Sequence, residues 1–285
     1  MDNKTKSDGF LFYSLGIISF LESAAPIYVE NLCLLYKQDA EFADWLRNTW
    51  SKEESRHGQA TREIIQFVWP EFNWEGAFAD YCATIPTQTT EHLNPSLALE
   101  ALSRCVTETE TAMIYRTFAS YTDDRQLKQL FCELSSDEVR HYKVFKSVFQ
   151  RYRNGLSVFT CAWTMIRRSQ KVKHRDLAMA FEKLNDYWLQ APPFQRLDYR
   201  RFNLQAAGMI HQHFPTATAE RMLLNPLNLP KTRSNWIGYW VKQFITWQFA
   251  GFKLLPNPKT TNDTYLRYNG LRHIPSRPSN HQVSL

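Results

Sequence analysis

Two short segments hold the residues best suited to chemistry: Glu53-Glu54-Ser55-Arg56-His57 and Asp137-Glu138-Val139-Arg140-His141. Both read acid-Glu-x-Arg-His. On a helix, a Glu and a His three residues apart lie about 60° apart around the axis and about 4.5 Å apart along it, so both can grip one cation. Each pair interrupts an apolar stripe at helical spacing. The first stripe runs Ala43, Leu46, Trp50, Glu53, His57, Ala60, Ile64, Phe67, and the second Leu127, Leu130, Leu134, Asp137, His141, Val144, Val148. Two more stripes hold a lone acid: Glu22 among Leu11, Leu15, Ile18, Ala25, Val29, Leu32 and Tyr36, and Glu108 among Ala98, Ala101, Cys105, Ala112, Tyr115 and Ala119. A carboxylate turned into a core is costly unless it is paired or coordinates a cation. A bundle with ordinary hydrogen-bonded acids explains one such pair more readily than six residues in register. Glu22, Glu54, His57, Glu108, Glu138 and His141 therefore read as metal ligands.

The elements that must position them follow from the same periodicity. Breaks fall near residues 37–40 and 121–124, with a longer interruption at 69–95 containing Pro70, Pro86 and Pro95. This predicts an all-α fold: four long helices over residues 10–152, in two antiparallel hairpins joined by a crossover. Residues at equal depth in a hairpin are equidistant from its turn. Glu22 and Glu54 centre on residue 38 and Glu108 and Glu138 on residue 123, both inside the breaks, so the acids meet at one level. Glu30 and Glu100 fit that geometry poorly, and Glu110 is the serious rival to Glu108. One Glu from each of two helices plus Glu-x-x-His from each of the others is the donor set of dinuclear carboxylate bundles. Oxygen and nitrogen donors without Cys suit iron or manganese: two Fe ions, or a Mn/Fe pair. A ligating His donates its other N–H to a carboxylate. Asp137 is placed to serve His57 and Glu53 to serve His141, with Arg56 and Arg140 offsetting the excess acid.

The run WLRNTWSKEESRHG (45–58), followed by SSDEVRH (135–141), resembles the ferritin-like di-iron superfamily, and within it the acyl-carrier-protein desaturases. The resemblance covers about residues 15–150. It implies a ferritin-like four-helix bundle, and its Glu-x-x-Thr on the third helix is matched by Glu108 and Thr111. By that resemblance Thr111 faces the oxygen-binding side of the cluster. Departures are shorter hairpins and a second half with no match.

Composition and charge bound the partners. The 285 residues are 44% apolar with only 9 Gly, which excludes collagen-like and generally disordered architectures. Residues 1–150 carry 14 Lys+Arg against 22 Asp+Glu, and residues 151–285 carry 20 against 6, so a net +6 divides into −8 and +14. A basic second half, with Arg167, Arg168, Lys171 and Lys173 grouped, calls for an anionic partner. An acyl carrier protein ranks first, an anionic membrane surface second and RNA third, and a homodimer is admitted. Five Cys (33, 82, 105, 132, 161) form no CxxC pair, which fits a reducing compartment. Residues 10–21 resemble a signal-peptide core, but Asp2, Asp8 and the continuing helical pattern argue for a cytoplasmic chain, peripheral to a membrane at most.

Residues 155–255 read as a basic helical extension and 256–285 as a loose tail. Within the extension, 236–252 has aromatics at helical spacing, while His211 and His213 lack nearby carboxylates and read as ordinary. The expected activity is that of an O2-activating di-iron oxidoreductase, oxygenase- or desaturase-like. Its substrate is expected to be apolar and carrier-bound, in a pocket walled by Ala101, Cys105, Ala112 and Tyr115. No Rossmann or flavin fingerprint appears, so the electron donor is another protein. The alternatives are a ferroxidase of the ferritin-like kind and a tRNA-modifying di-iron hydroxylase.

Overall fold

The computed structural model describes residues 3–85, 93–171, 175–188 and 190–229, and among them the regular structure is all helical. After a single turn at Asn3–Lys6, the first long element is two helices, α1 (Gly9–Ser23) and α2 (Ala25–Leu35). The chain breaks at Ala24 and restarts on Pro26, whose fixed φ and missing N–H suit a first helical turn. α3 (Ala40–Trp45), a π-helical turn (Leu46–Trp50) and α4 (Ser51–Val68) return antiparallel to them. The crossover contains α5 (Trp74–Thr84), and α6 (Leu97–Tyr121) with α7 (Arg125–Tyr152) forms the second hairpin.

Side-chain caps set the starts of these helices. Asp8, Asp39, Ser96 and Asp124 each accept a hydrogen bond from a backbone N–H of the first turn. Asp39 does more than cap. It also accepts from Arg151 Nη1 (2.6 Å) and the Tyr152 hydroxyl (2.9 Å), tying the turn of the first hairpin to the far end of α7.

In α7 the buried acid is Glu138, not Asp137. In α4 likewise the buried stripe steps from Trp50 to Glu54 and not to Glu53. From there the buried positions are Glu54, His57, Gly58, Thr61, Ile65 and Val68. Ile64 and Phe67, inward in the sequence-based stripe, are displaced accordingly, and Phe67 is 74% exposed.

The extension is α8 (Val158–Lys171), α9 (Arg175–Asp186), α10 (Tyr199–His213) and α11 (Thr216–Leu224). α8, α10 and α11 pack against α6, and α9 lies across α1 and α5. Phe181, Leu184, Trp188, Phe194 and Phe202 share one core with Phe12, Tyr13 and Trp69 of the first hairpin. Packing therefore runs across the boundary drawn at residues 152–155. Residues 236–252, the tail 256–285 and Lys173 lie outside the described residues. The most apolar window of Gly9–Leu35 meets the length and hydropathy of a membrane span, and 72% of it is buried inside the protein.

Candidate metal centre

Six ionisable side chains from four helices meet at one level. Two groups of donor atoms form, each with all atoms within 4.8 Å of one another: Glu22, Glu54, His57 and Glu138, and Glu54, Glu108, Glu138 and His141. All six sequence-predicted ligands are present, and Glu54 and Glu138 belong to both groups. Such sharing would let Glu54 and Glu138 serve two cation positions, with Glu22 and His57 completing one and Glu108 and His141 the other.

Both imidazoles face the centre with Nδ1 and the periphery with Nε2. His57 Nδ1 lies 3.0 Å from Glu138, and His141 Nδ1 lies 3.1 Å from Glu54 and 3.6 Å from Glu108. On the outer side His57 Nε2 meets Asp137 (3.1 Å) and His141 Nε2 meets Glu53 (2.7 Å), each bond crossing between hairpins. This fixes the rings, and with the outer N–H donated to a carboxylate a neutral ring would offer the Nδ1 lone pair to a cation. Arg140 bonds both Asp137 and Glu53, and Arg56 bonds Glu53 (3.1 Å), so the guanidinium groups balance the outer acids from the protein surface.

The residues fit a metal pair on two physical grounds. First, the inward nitrogens of both histidines converge on carboxylate oxygens alone, His57 Nδ1 3.0 Å from Glu138 and His141 Nδ1 3.1 Å from Glu54. Four acids and two imidazoles so deeply buried are costly to hold together unless a cation is bound among them. Second, four carboxylates bring four negative charges, which two divalent ions and two neutral imidazoles would balance. The nearby Cys105 stays a thiol, since burial pushes its pKa far up. The centre can thus hold metal through oxygen and nitrogen alone.

The electrostatics follow from burial. Desolvation and the neighbouring carboxylates hold Glu22 well above the usual carboxylate range, and raise Glu54 to about 7. Burial also raises Glu138. Burial would lower His57, but Glu138, Glu22 and Asp137 outweigh it and lift the imidazole to about 9. Partial burial opposes ionisation of Glu53 and Asp137. Their bonds to histidine and arginine overcome it and hold both below their ordinary values.

The remaining candidates are placed differently. Glu110 turns to α8, where Ser169 Oγ donates to it (2.5 Å), so Glu108 is the inward acid of α6. Glu30 pairs with Arg47 at the surface, whereas Glu100 is buried near the start of α6, paired with Arg104 and bonded by the Asn94 N–H, away from both donor groups. The Thr111 hydroxyl donates to the Thr107 carbonyl one turn back (3.1 Å), and the side chain is half-buried. The four residues expected to wall a pocket are all buried but divided: Ala101 and Cys105 in one core cluster, Ala112 in a second, Tyr115 in a third. Of the grouped cations, Arg167 is exposed, while Arg168, turned 100° further around α8, donates from Nε to Thr107 (3.0 Å). His213 meets Ser120 (3.1 Å), and His211 is exposed.

Tyr115, expected as a pocket wall, donates its hydroxyl hydrogen bond to Glu22. Sequence reasoning missed Gly58. A Cβ there would stand 2.6 Å from the Ser23 backbone nitrogen and 3.0 Å from its Cα, so only glycine lets α4 approach α1 beside Glu22 and His57. The glycine directly after the ligand His was the available signal. Gly58→Ala is expected to push α1 outward, lower stability by about 1–3 kcal/mol and cost one bound ion per chain. Thermal melts with metal counting check this. A fully loaded, undestabilised variant would refute it. Comparisons of the chain with protein-family models, with curated proteins and with solved structures find no match.

Proposed function

We propose that the chain binds two iron ions at this centre, in a ferritin-like bundle, and acts as an O2-activating oxidoreductase on an apolar organic substrate. The observation that carries this reading is the pair of four-donor groups sharing Glu54 and Glu138 around two inward-facing imidazole nitrogens. Two adjacent redox-active ions supply electron and O2 chemistry that protein side chains lack.

The chain's own contribution is positioning and exclusion. Asp137 and Glu53 hold the two histidines in one tautomer and orientation. Trp45, edge-on to His141 at 6.1 Å between ring centres, and the aliphatic core keep water from that side. Arg140 spans both outer carboxylates and holds them ionised for the histidines. The Thr111 hydroxyl, one turn beyond Glu108, is the group we assign to the oxygen-facing side by resemblance. An acyl-carrier-bound chain is the favoured substrate form, and the electron donor is a second protein.

Anaerobic loading with Fe(II), metal counting, and then exposure to O2 under optical and Mössbauer observation tests the proposal. Two Fe(II) per chain, oxidised together within one exposure, are expected. Loading far above two ions per chain would replace it with iron storage. Two ions that stay ferrous in air would end the O2 assignment, and preferential Mn uptake from a mixture would change the metal pair.

A further inference from the structure

We propose that Tyr115 is a positioning residue that braces Glu22 as a ligand, and so sets the affinity of the Glu22–His57 position independently of the Glu108–His141 position. The inference rests on the dinuclear reading and deepens it.

The two terminal glutamates are not equivalent. Glu108 projects from the middle of α6, a continuous helix of 25 residues, and is 3% exposed. Glu22 stands on the last turn of α1, two residues before the break at Ala24, and is only half-buried. A long side chain at a helix end has more freedom to lose when it coordinates a cation. Something must restrain it.

Tyr115 is built to do so. It lies seven residues, two turns, beyond Glu108 on α6, so the helix that supplies one position's glutamate also braces the other's. The tyrosine is 1% exposed, and its hydroxyl donates to Glu22 Oε1. The ring itself cannot swing. It stacks on Phe131 (6.2 Å between centres, 25°), and His57 meets it edge-on at 6.5 Å. Phe131 is in turn stacked on Phe118 at 5.0 Å. With one oxygen occupied by the phenol, Glu22 presents the other to the cation at reduced entropic cost. Partners of this kind govern metal affinity by about 10–100-fold.

The test is Mn(II) binding, followed by calorimetry and by the EPR signal of free and bound ion. Wild type is expected to bind two ions, and Tyr115→Phe to weaken one step by about 10–100-fold while leaving the other unchanged. Two backgrounds assign the step. With Glu108→Ala, leaving the Glu22–His57 position, Tyr115→Phe should weaken the remaining ion. With Glu22→Ala it should change nothing, because the brace has no ligand to hold. Phe131→Leu keeps the hydroxyl but loosens the stacking that holds the ring, and should weaken the same step by less than Tyr115→Phe while leaving the other step intact. Two unchanged steps in Tyr115→Phe, or equal weakening in both backgrounds, would overturn the inference while the dinuclear reading stands. A wild type that binds no ion would overturn both.

Discussion

Alanine at Glu54 or Glu138 is expected to cost both metal positions, whereas alanine at Glu22 or Glu108 should cost only one. The reason is membership: Glu54 and Glu138 contribute a donor atom to each group, Glu22 and Glu108 to a single group. Loss of an outer partner weakens metal binding by about 10–100-fold, so loss of a direct ligand should exceed ~100-fold at every position it serves. Metal per chain should fall from two to none for the shared pair and from two to one for the terminal pair. Folding is read alongside: Glu54→Ala and Glu138→Ala also remove the carboxylates that face His141 and His57, so the melting temperatures of the metal-free variants are measured together with the metal counts. A Glu54→Ala protein that still binds two ions tightly would remove the shared-donor arrangement.

How much of this was legible in the sequence follows from which physical signals are local. The buried Glu/His cluster was legible because burying charge is costly, so six ionisable residues at a common depth stand out against the apolar stripes. The cross-hairpin bonds from Asp137 to His57 and from Glu53 to His141 were legible for a related reason: an acid next to each ligand Glu faces the opposite hairpin's histidine. The turns at 37–39 and 122–124 were read from breaks in the same periodicity. What failed were features that depend on phase and on contact between distant segments. The stripes ran one residue out of phase: Glu54 and Glu138 are the buried acids where the stripes carried Glu53 and Asp137, and Phe67 is 74% exposed. Gly58 makes sense only once Ser23 is seen against it, 35 residues away in the chain. Tyr115 sat on the face of α6 that the stripe predicted, but the Glu22 partner of its hydroxyl is on a distant segment that no local pattern announces. The packing of α9 into the core of the first hairpin, with Leu184 against Gly16, depends on contacts between segments far apart in the chain, which no motif announces.

Metal-free protein is expected to become less stable as pH rises from about 5 to about 9, and metal-loaded protein to do the reverse. Glu22, Glu54 and Glu138 have folded-state pKa values above those of the unfolded chain. A carboxyl group shifted upward binds more protons when folded, so its stabilising contribution fades as pH climbs through the folded value, about 7 for Glu54. His57 works in the same direction. Raised to about 9, it gives stability that is complete below the unfolded imidazole value and lost as pH passes through the folded one. Glu53 and Asp137 are shifted downward, so their contribution is present throughout this window and is lost only in stronger acid. Metal inverts the trend, because coordination requires ionised carboxylates and neutral imidazoles and therefore releases protons. The melting temperature of chelator-treated protein should drop on the order of 5 °C or more between pH 5.5 and 8.5. With saturating Mn(II) it should rise over the same interval, so the gap between the two curves widens with pH. Scanning calorimetry of both forms across that range measures it. A metal-free protein whose melting temperature is flat or rising would mean that the buried carboxylates do not repel one another as this cluster requires.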